Sequence, residues 1–259
     1  MEIKTTASRR RHSIVELLGV RGTIDVKSLS EHFGVTESTI RRDLAILNEQ
    51  GRVTRTYGGV QGADPHVEHT LQQRWRRDVA EKLAIAKRAV HYISNGDTVM
   101  MDSGTTVALM TRFLHHEIEL TVVTPSLALI PELISFPNIQ IDCLGGRVRR
   151  NSYGLVGPYT QLALKKRTAD HAFLGADAIS LSGSICEAEP EQIELKEQMI
   201  ENSGHNYVLA DSAKIGITPF HHWHEPATPY TLITDQKITR GQAESLKSEG
   251  ITIDIVQTG

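Results

Sequence analysis

Seven short apolar runs recur beyond Asn95, DTVMM, ELTVVT, IQIDCL, HAFLGA, NYVLA, YTLIT and ITIDIV, with helical stretches between them. Runs of this length without strict alternation predict strands buried on both faces. Helices between consecutive strands predict a largely parallel, open sheet of the α/β class. That architecture also says where chemistry belongs, because ligands of open sheets bind beyond the carboxyl ends of the strands.

Polar, glycine-bearing clusters follow four of the runs. DSGTT, residues 102 to 106, opens a helix after the first; GGRVRRNSYGLVG follows IQIDCL; Asp177 follows HAFLGA; and DSAKIG, which contains Lys214, follows NYVLA. Turn geometry alone explains any one such loop, so the signal is their convergence on one edge. Backbone amides at the start of the helix after DSGTT, with the Thr105 and Thr106 hydroxyls, favour an anion. Arg147, Arg149 and Lys214 can neutralise phosphate, and Asp102, Asp177 or Asp211 can accept hydrogen bonds from sugar hydroxyls. Together they point to a small polyhydroxylated phosphate ester.

The first sixty residues follow a different pattern. They hold 10 Lys/Arg against 7 Asp/Glu, leaving 18 against 24 in the rest, so a basic head precedes an acidic body. This asymmetry suits a head that binds a polyanion. Ile14, Leu17 and Leu18 recur at helical spacing after Ser8. Asp25 is placed to cap a second helix that turns Val26, Leu29 and Phe33 inward and stops at Gly34. A third helix starts near Thr36 and stacks Ile40, Leu44 and Leu47 on one stripe. Ser38 and Arg42 then face outward, flanked by Thr39 and Arg41, which suits a DNA major groove, where arginine bonds guanine or clamps phosphate. RVTRTYGGV reads as a hairpin wing, with Val53 and Thr56 toward the body and Arg52 and Arg55 along the duplex backbone.

Cys143 and Cys186 lie far apart, without the spacing of a metal site, and are expected as reduced thiols in a cytosolic protein. The apolar stretch after Arg9-Arg10-Arg11 is too short and polar for an export signal, and no run has the roughly 20 apolar residues of a membrane span. A cytoplasmic, unprocessed chain is expected, without cofactor or metal.

GTIDVKSLSEHFGVTESTIRRDLAILNEQGRVTRTYGGV resembles the N-terminal winged helix-turn-helix of the DeoR family of bacterial sugar-metabolism regulators, whose signature has the form TIRRDL…L…G…R…GG. The resemblance makes Thr36, Ser38, Thr39, Arg41 and Arg42 operator-reading candidates, with Arg55 and Tyr57 in the wing, where many members have His in place of Tyr57. It continues through DSGTT, LGGRVR, FLGAD, ELKEQMI and LADSAKIG, in an order similar to the family's effector domain, which is related in fold to ribose-phosphate isomerase and glucosamine-phosphate deaminase. That similarity implies effector contacts at Asp102, Gly104, Thr105, Thr106, Gly145, Gly146, Arg147, Ser152, Gly175, Asp177, Lys196 and Lys214. Two departures stand out: Gln192, where many members are acidic, and the loop CEAEPEQ before it.

The expected organisation is a winged helix-turn-helix over 1–61, a linker over 62–74 marked by Gly, Pro and charge, and an effector-sensing and oligomerisation domain over 75–259. One helix is expected from Leu71 to Ile93, with Trp75, Val79, Leu83, Ala86 and Val90 on its buried stripe. HHWH, His221 to His224, reads as a surface loop rather than a metal site, and His115-His116 as the cap of a helix. The leading function is a repressor of carbohydrate-metabolism genes, acting as a homodimer or homotetramer on operator DNA, with affinity set by a phosphorylated sugar or related metabolite. The alternatives are a sugar-phosphate isomerase or deaminase-like enzyme with a DNA-binding appendage, and a winged-helix module that binds protein. No catalytic residue is assigned.

Overall fold

The computed structural model describes residues 7–56, 59–64 and 66–258. The chain divides into two compact units, with the boundary between Arg77 and Asp78.

The first unit runs α1 (Ala7–Arg21), β1 (Thr23–Asp25), α2 (Val26–Phe33), α3 (Glu37–Glu49), β2 (Val53–Thr56), β3 (Gly59–Gly62) and α4 (Leu71–Trp75). Local chemistry sets the boundaries. The Asp25 carboxylate accepts the Ser28 amide at 2.8 Å, and Gly34 takes φ 62° to close α2. Thr36 accepts the Thr39 amide at 3.2 Å to start α3. Ile14, Leu18, Leu29, Ile40, Leu44 and Leu47 form one core, closed by Ile24, Val53 and Val60 from a sheet of order β1-β3-β2. The wing is therefore stitched to the helices, with Ile24 opposite Val60.

The stretch expected as a linker returns to this unit. The Ala63 amide donates to the Arg52 carbonyl, Leu71 is buried, and a Cβ on Gly51 would come within 2.6 Å of His69 Nδ1. The expected single helix also breaks. Arg76 ends α4, Asp78 adopts φ 47°, and α5 (Val79–Val90) begins afresh. Aspartate is among the few residues that tolerate the left-handed region. The restart resets the phase: α5 buries Lys82, Ile85, Ala86 and Ala89, while Val79 is 43% exposed.

In the second unit the seven runs become β4 (Thr98–Met101), β5 (Leu120–Thr124), β6 (Ile139–Cys143), β9 (Ala169–Leu174), β12 (Ser203–Leu209), β14 (Thr231–Asp235) and β15 (Thr252–Val256). They form one sheet of order β15-β14-β12-β9-β4-β5-β6, parallel throughout. Between them lie α6 (Thr105–Ala108), α7 (Ile130–Leu133), a hairpin of β7 (Arg147–Arg149) and β8 (Gly154–Val156), α8 (Pro158–Leu164), the short strands β10 (Ala178–Ile179) and β11 (Ile185–Glu187), α9 (Pro190–Glu201), β13 (His222–His224) and α10 (Arg240–Ser248). HHWH is thus largely a strand: β13 pairs with β11, Trp223 opposite Cys186. His115 and His116 follow a 3-10 segment, Leu109–Phe113, and His115 Nδ1 accepts the Glu117 amide at 3.3 Å.

Alternation along the strands serves two cores. Met100, Ala172, Leu174, Val208 and Leu232 pack with Leu195, Met199 and Ile200 of α9 and Leu246 of α10. The intervening residues take the opposite face, where Phe173 stacks on Tyr207 with ring centroids 5.0 Å apart. The sheet reverses direction between β4 and β9: β5 and β6 extend one way from β4, and β12, β14 and β15 extend the other way from β9. Loops diverge at such a switch point and leave a crevice at the carboxyl ends.

Gly146 fixes the hairpin beside that edge. Its φ is 138°, and a Cβ there would lie 2.1 Å from Thr160 Oγ1 and 2.8 Å from the Val156 carbonyl oxygen. Gly146→Ala combines backbone strain with overpacking, each costing of order 1–3 kcal/mol. Denaturant unfolding should show the second unit destabilised by at least about 2 kcal/mol.

Candidate functional site

The carboxyl end of the sheet at the switch point holds a buried charge cluster. Asp102 directly follows β4 and is 2% exposed. Its Oδ1 accepts the Ser103 amide at 2.6 Å, and its Oδ2 accepts the Gly175 amide at 3.1 Å, so one carboxylate joins the two strands at which the sheet reverses. Lys196, on α9, donates to Asp102 Oδ2 and to the Gly175 carbonyl at 3.0 Å. A second carboxylate, Glu187 of β11, lies 3.1 Å from Lys196 Nζ and accepts from Gln192 Nε2 at 2.9 Å. Asp177 follows on the same edge, its amide donating to the Cys186 carbonyl. Lys214 donates to the Ala176 carbonyl at 2.6 Å.

Burial shapes the protonation of this cluster. It pushes the Glu187 carboxyl up to about 8; Lys196 opposes that shift, and Asp177 and Asp102 reinforce it. For Lys196, burial disfavours the ammonium, but Asp102 and Glu187 outweigh it and hold the amine charged.

The remaining residues named from the sequence gather round this cluster unequally. Thr105 and Thr106 are buried at the start of the helix expected after DSGTT, α6, which is a single turn continued as a 3-10 segment and so carries a weaker dipole than a full-length α-helix. Gly104 approaches Gly175 closely: a Cβ on Gly104 would sit 3.9 Å from the Gly175 Cα. Ser152 is buried, and its hydroxyl accepts the Gly154 amide at 3.2 Å. The Gly145 carbonyl accepts from Thr160 Oγ1 at 2.5 Å. Arg147 is more than half exposed and paired with Glu191, while Arg149 is buried and 3.1 Å from Glu189. Glu187 was not anticipated as a site residue, because a strand of three residues leaves no periodic signal; Gln192, which the sequence marks as a departure from the family pattern, is its neighbour on α9.

On the first unit, Ser38, Arg41 and Arg42 are exposed and Thr39 half-buried in the first turns of α3. The Thr36 and Thr39 hydroxyls lie 3.0 Å apart, and Arg41 donates to Glu37 at 2.7 Å. An exposed pair of this kind is worth about 0.3–0.5 kcal/mol, so Arg41 is readily traded to a phosphate. Arg55 lies in β2; Tyr57 falls outside the described residues. Asp43 points the other way. It is 3% exposed, and Arg10 reaches its Oδ2 at 2.6 Å and Arg11 its Oδ1 at 3.3 Å. Its position beside Leu44 on the buried stripe was the available signal, since a carboxylate there demands cations from another helix. Arg10 and Arg11 supply them.

Two measurements test these readings. Asp43→Asn removes the buried negative charge that Arg10 and Arg11 share and should cost the first unit about 3 kcal/mol in denaturant unfolding. For Glu187, the folded pKa lies above the unfolded one, so the folded chain binds more protons between about 4.5 and 8. Its contribution to stability is full below that window and is lost as pH rises through it. Glu187→Gln should flatten the fall in stability across this range, by roughly 1 kcal/mol per pH unit relative to wild type.

Comparison with known proteins shows the family. The DeoR-like helix-turn-helix domain matches residues 10–66 and the DeoR C terminal sensor domain residues 77–236. The HTH-type transcriptional regulator YulB of Bacillus subtilis is 32% identical over 96% of both chains. The putative aga operon transcriptional repressor of Escherichia coli O157:H7 is 30% identical over 97% of this chain and 95% of its own. The glycerol-3-phosphate regulon repressor of Escherichia coli K12 is 31% identical over 81% and 83%. Among solved structures, ribose 5-phosphate isomerase A of Methanocaldococcus jannaschii overlaps 52% of this chain and 53% of that one at 20% identity, with a TM-score of 0.39, too low to carry a functional inference. The chain belongs to the DeoR family of helix-turn-helix transcriptional regulators.

Proposed function

We propose that this DNA-binding regulator represses carbohydrate-metabolism genes and that a phosphorylated sugar or related metabolite, bound in the crevice around Asp102 and Lys196, changes its affinity for the operator. The observation that carries the DNA half is the exposed Ser38, Arg41 and Arg42 face at the start of a helix whose opposite stripe is buried. Thr36, Thr39, Arg55 and Tyr57 complete the proposed contact set. The relatives named as repressors of an aga operon and of a glycerol-3-phosphate regulon support the repressor reading.

In the crevice, Lys196, Lys214 and Arg147 would meet phosphate, and Asp102 and Asp177 would meet hydroxyls, with Gly104, Thr105, Thr106, Gly145, Gly146, Ser152 and Gly175 shaping the wall. Sensing suits this cluster better than catalysis. Asp102 and Glu187 are tied to neighbours through both oxygens, which leaves lone pairs to accept a hydroxyl but no carboxylate free to carry a proton away. A general base must instead reach a substrate proton. Dimeric helix-turn-helix proteins read half-sites about one helical turn, roughly 34 Å, apart or a multiple of it, so a homodimer or homotetramer on repeated sites completes the proposal. Coupling then requires that the effector bind the DNA-competent and DNA-incompetent arrangements with different affinity.

Fluorescence anisotropy on the DNA upstream of the chain's own gene tests this at fixed salt. Arg42→Ala should weaken specific binding by 1–3 kcal/mol, about 5- to 150-fold, or lower the salt slope by about 1 if the contact is to phosphate. Unchanged affinity and slope would sink this placement of the reading face.

A further inference from the structure

The β7–β8 hairpin carries two arginines of matched spacing, Arg147 and Arg149, on one side of a strand. They meet two glutamates of the same spacing, Glu191 and Glu189, on either side of Pro190 where α9 begins. The hairpin itself is well anchored. The Leu155 amide donates to the Pro125 carbonyl at 2.7 Å, the Leu127 amide to the Tyr153 carbonyl at 3.0 Å, and a Cβ on Gly154 would lie 2.5 Å from Ser103 Oγ, beside Asp102. The helix at the other end of this double latch also bears Gln192 and Lys196, the partners of Glu187.

We propose that Glu189 and Glu191 are internal competitors for the anionic group of the effector, and that binding exchanges their carboxylates on Arg147 and Arg149 for a phosphate. The proposal rests on the reading of the effector as a phosphate ester.

Three observations support an exchange over a fixed structural tie. Guanidinium forks match phosphate as well as they match carboxylate, and phosphate brings more negative charge. The Glu189 and Glu191 side chains are 41% and 33% exposed, so after release they turn to water, and Glu191 stays in the first turn of α9, where negative charge suits the helix dipole. Arg149 is 3% exposed, where a guanidinium is costly without nearby negative charge, so phosphate takes over the charge that Glu189 gives up. The loop CEAEPEQ thereby sets how much phosphate ester is needed to occupy the site.

The test is calorimetric titration of the full chain with inorganic phosphate and with a set of pentose and hexose monophosphates. The Glu189→Gln, Glu191→Gln double variant keeps side-chain size while removing both charges, and should bind phosphate and its esters on the order of tenfold more tightly. Adding Arg147→Ala should erase most of that gain. Glu201→Gln, at the far end of α9, should leave affinity unchanged. Wild type and double variant binding a phosphate ester equally would overturn the exchange and leave the effector reading standing. An equal gain from Glu201→Gln would also overturn it, as a general charge effect. No binding of any phosphate by either protein would overturn both.

Discussion

The Asp102 carboxylate is the constraint around which the second unit is organised. It closes the gap between the two central strands where the sheet changes direction, accepting the Gly175 amide from one side and Lys196 from a helix above. Burying a carboxylate and an ammonium costs several kcal/mol for each ion unless geometry and further hydrogen bonds compensate. Here Ser103, Gly175, Glu187 and Gln192 provide that compensation. The cluster is therefore possible only if β4, β9, β11 and α9 are all in place, and it becomes a sensitive register of how α9 sits.

The first unit solves the same problem on a smaller scale. Asp43 lies on the stripe that docks α3, where an apolar residue would pack without cost in charge. Two arginines from α1 neutralise it. The benefit is directional: the acidic group adjacent to Arg42 is turned inward and screened, leaving the outer face of α3 basic. Fold stability and the electrostatics of the exposed face are set by one side chain.

Most of the sheet was legible because its strands are buried on both faces and so appear as unbroken apolar runs; all seven became neighbours in one parallel sheet. The helices of the first unit were equally legible through Asp25, Gly34 and Thr36, whose side chains or backbone preferences mark ends directly. Legibility failed where a residue's environment is built from distant segments. The phase of α5 follows from the kink at Asp78, which apolar spacing does not encode. HHWH became a strand because β11 offers it an edge, and β11 is too short to announce itself. Glu187 looked like a loop acid until its helix and strand partners were assembled.

The sheet's connectivity also sets an order of events during synthesis. The first unit is complete in its contacts once the residues through Arg77 have emerged, and its helices pair locally. In contrast, β4 finds one of its two neighbours only when β9 arrives, since Met100 pairs with Ala172. At about 5–20 residues per second, that separation corresponds to a delay of roughly 4–14 s. Throughout it, β4, β5 and β6 can form no more than half a sheet, with the apolar edge of β4 open to other chains. The buried cluster at that same junction, which needs Lys196 of α9 as well as Gly175 beyond β9, cannot form until both have emerged.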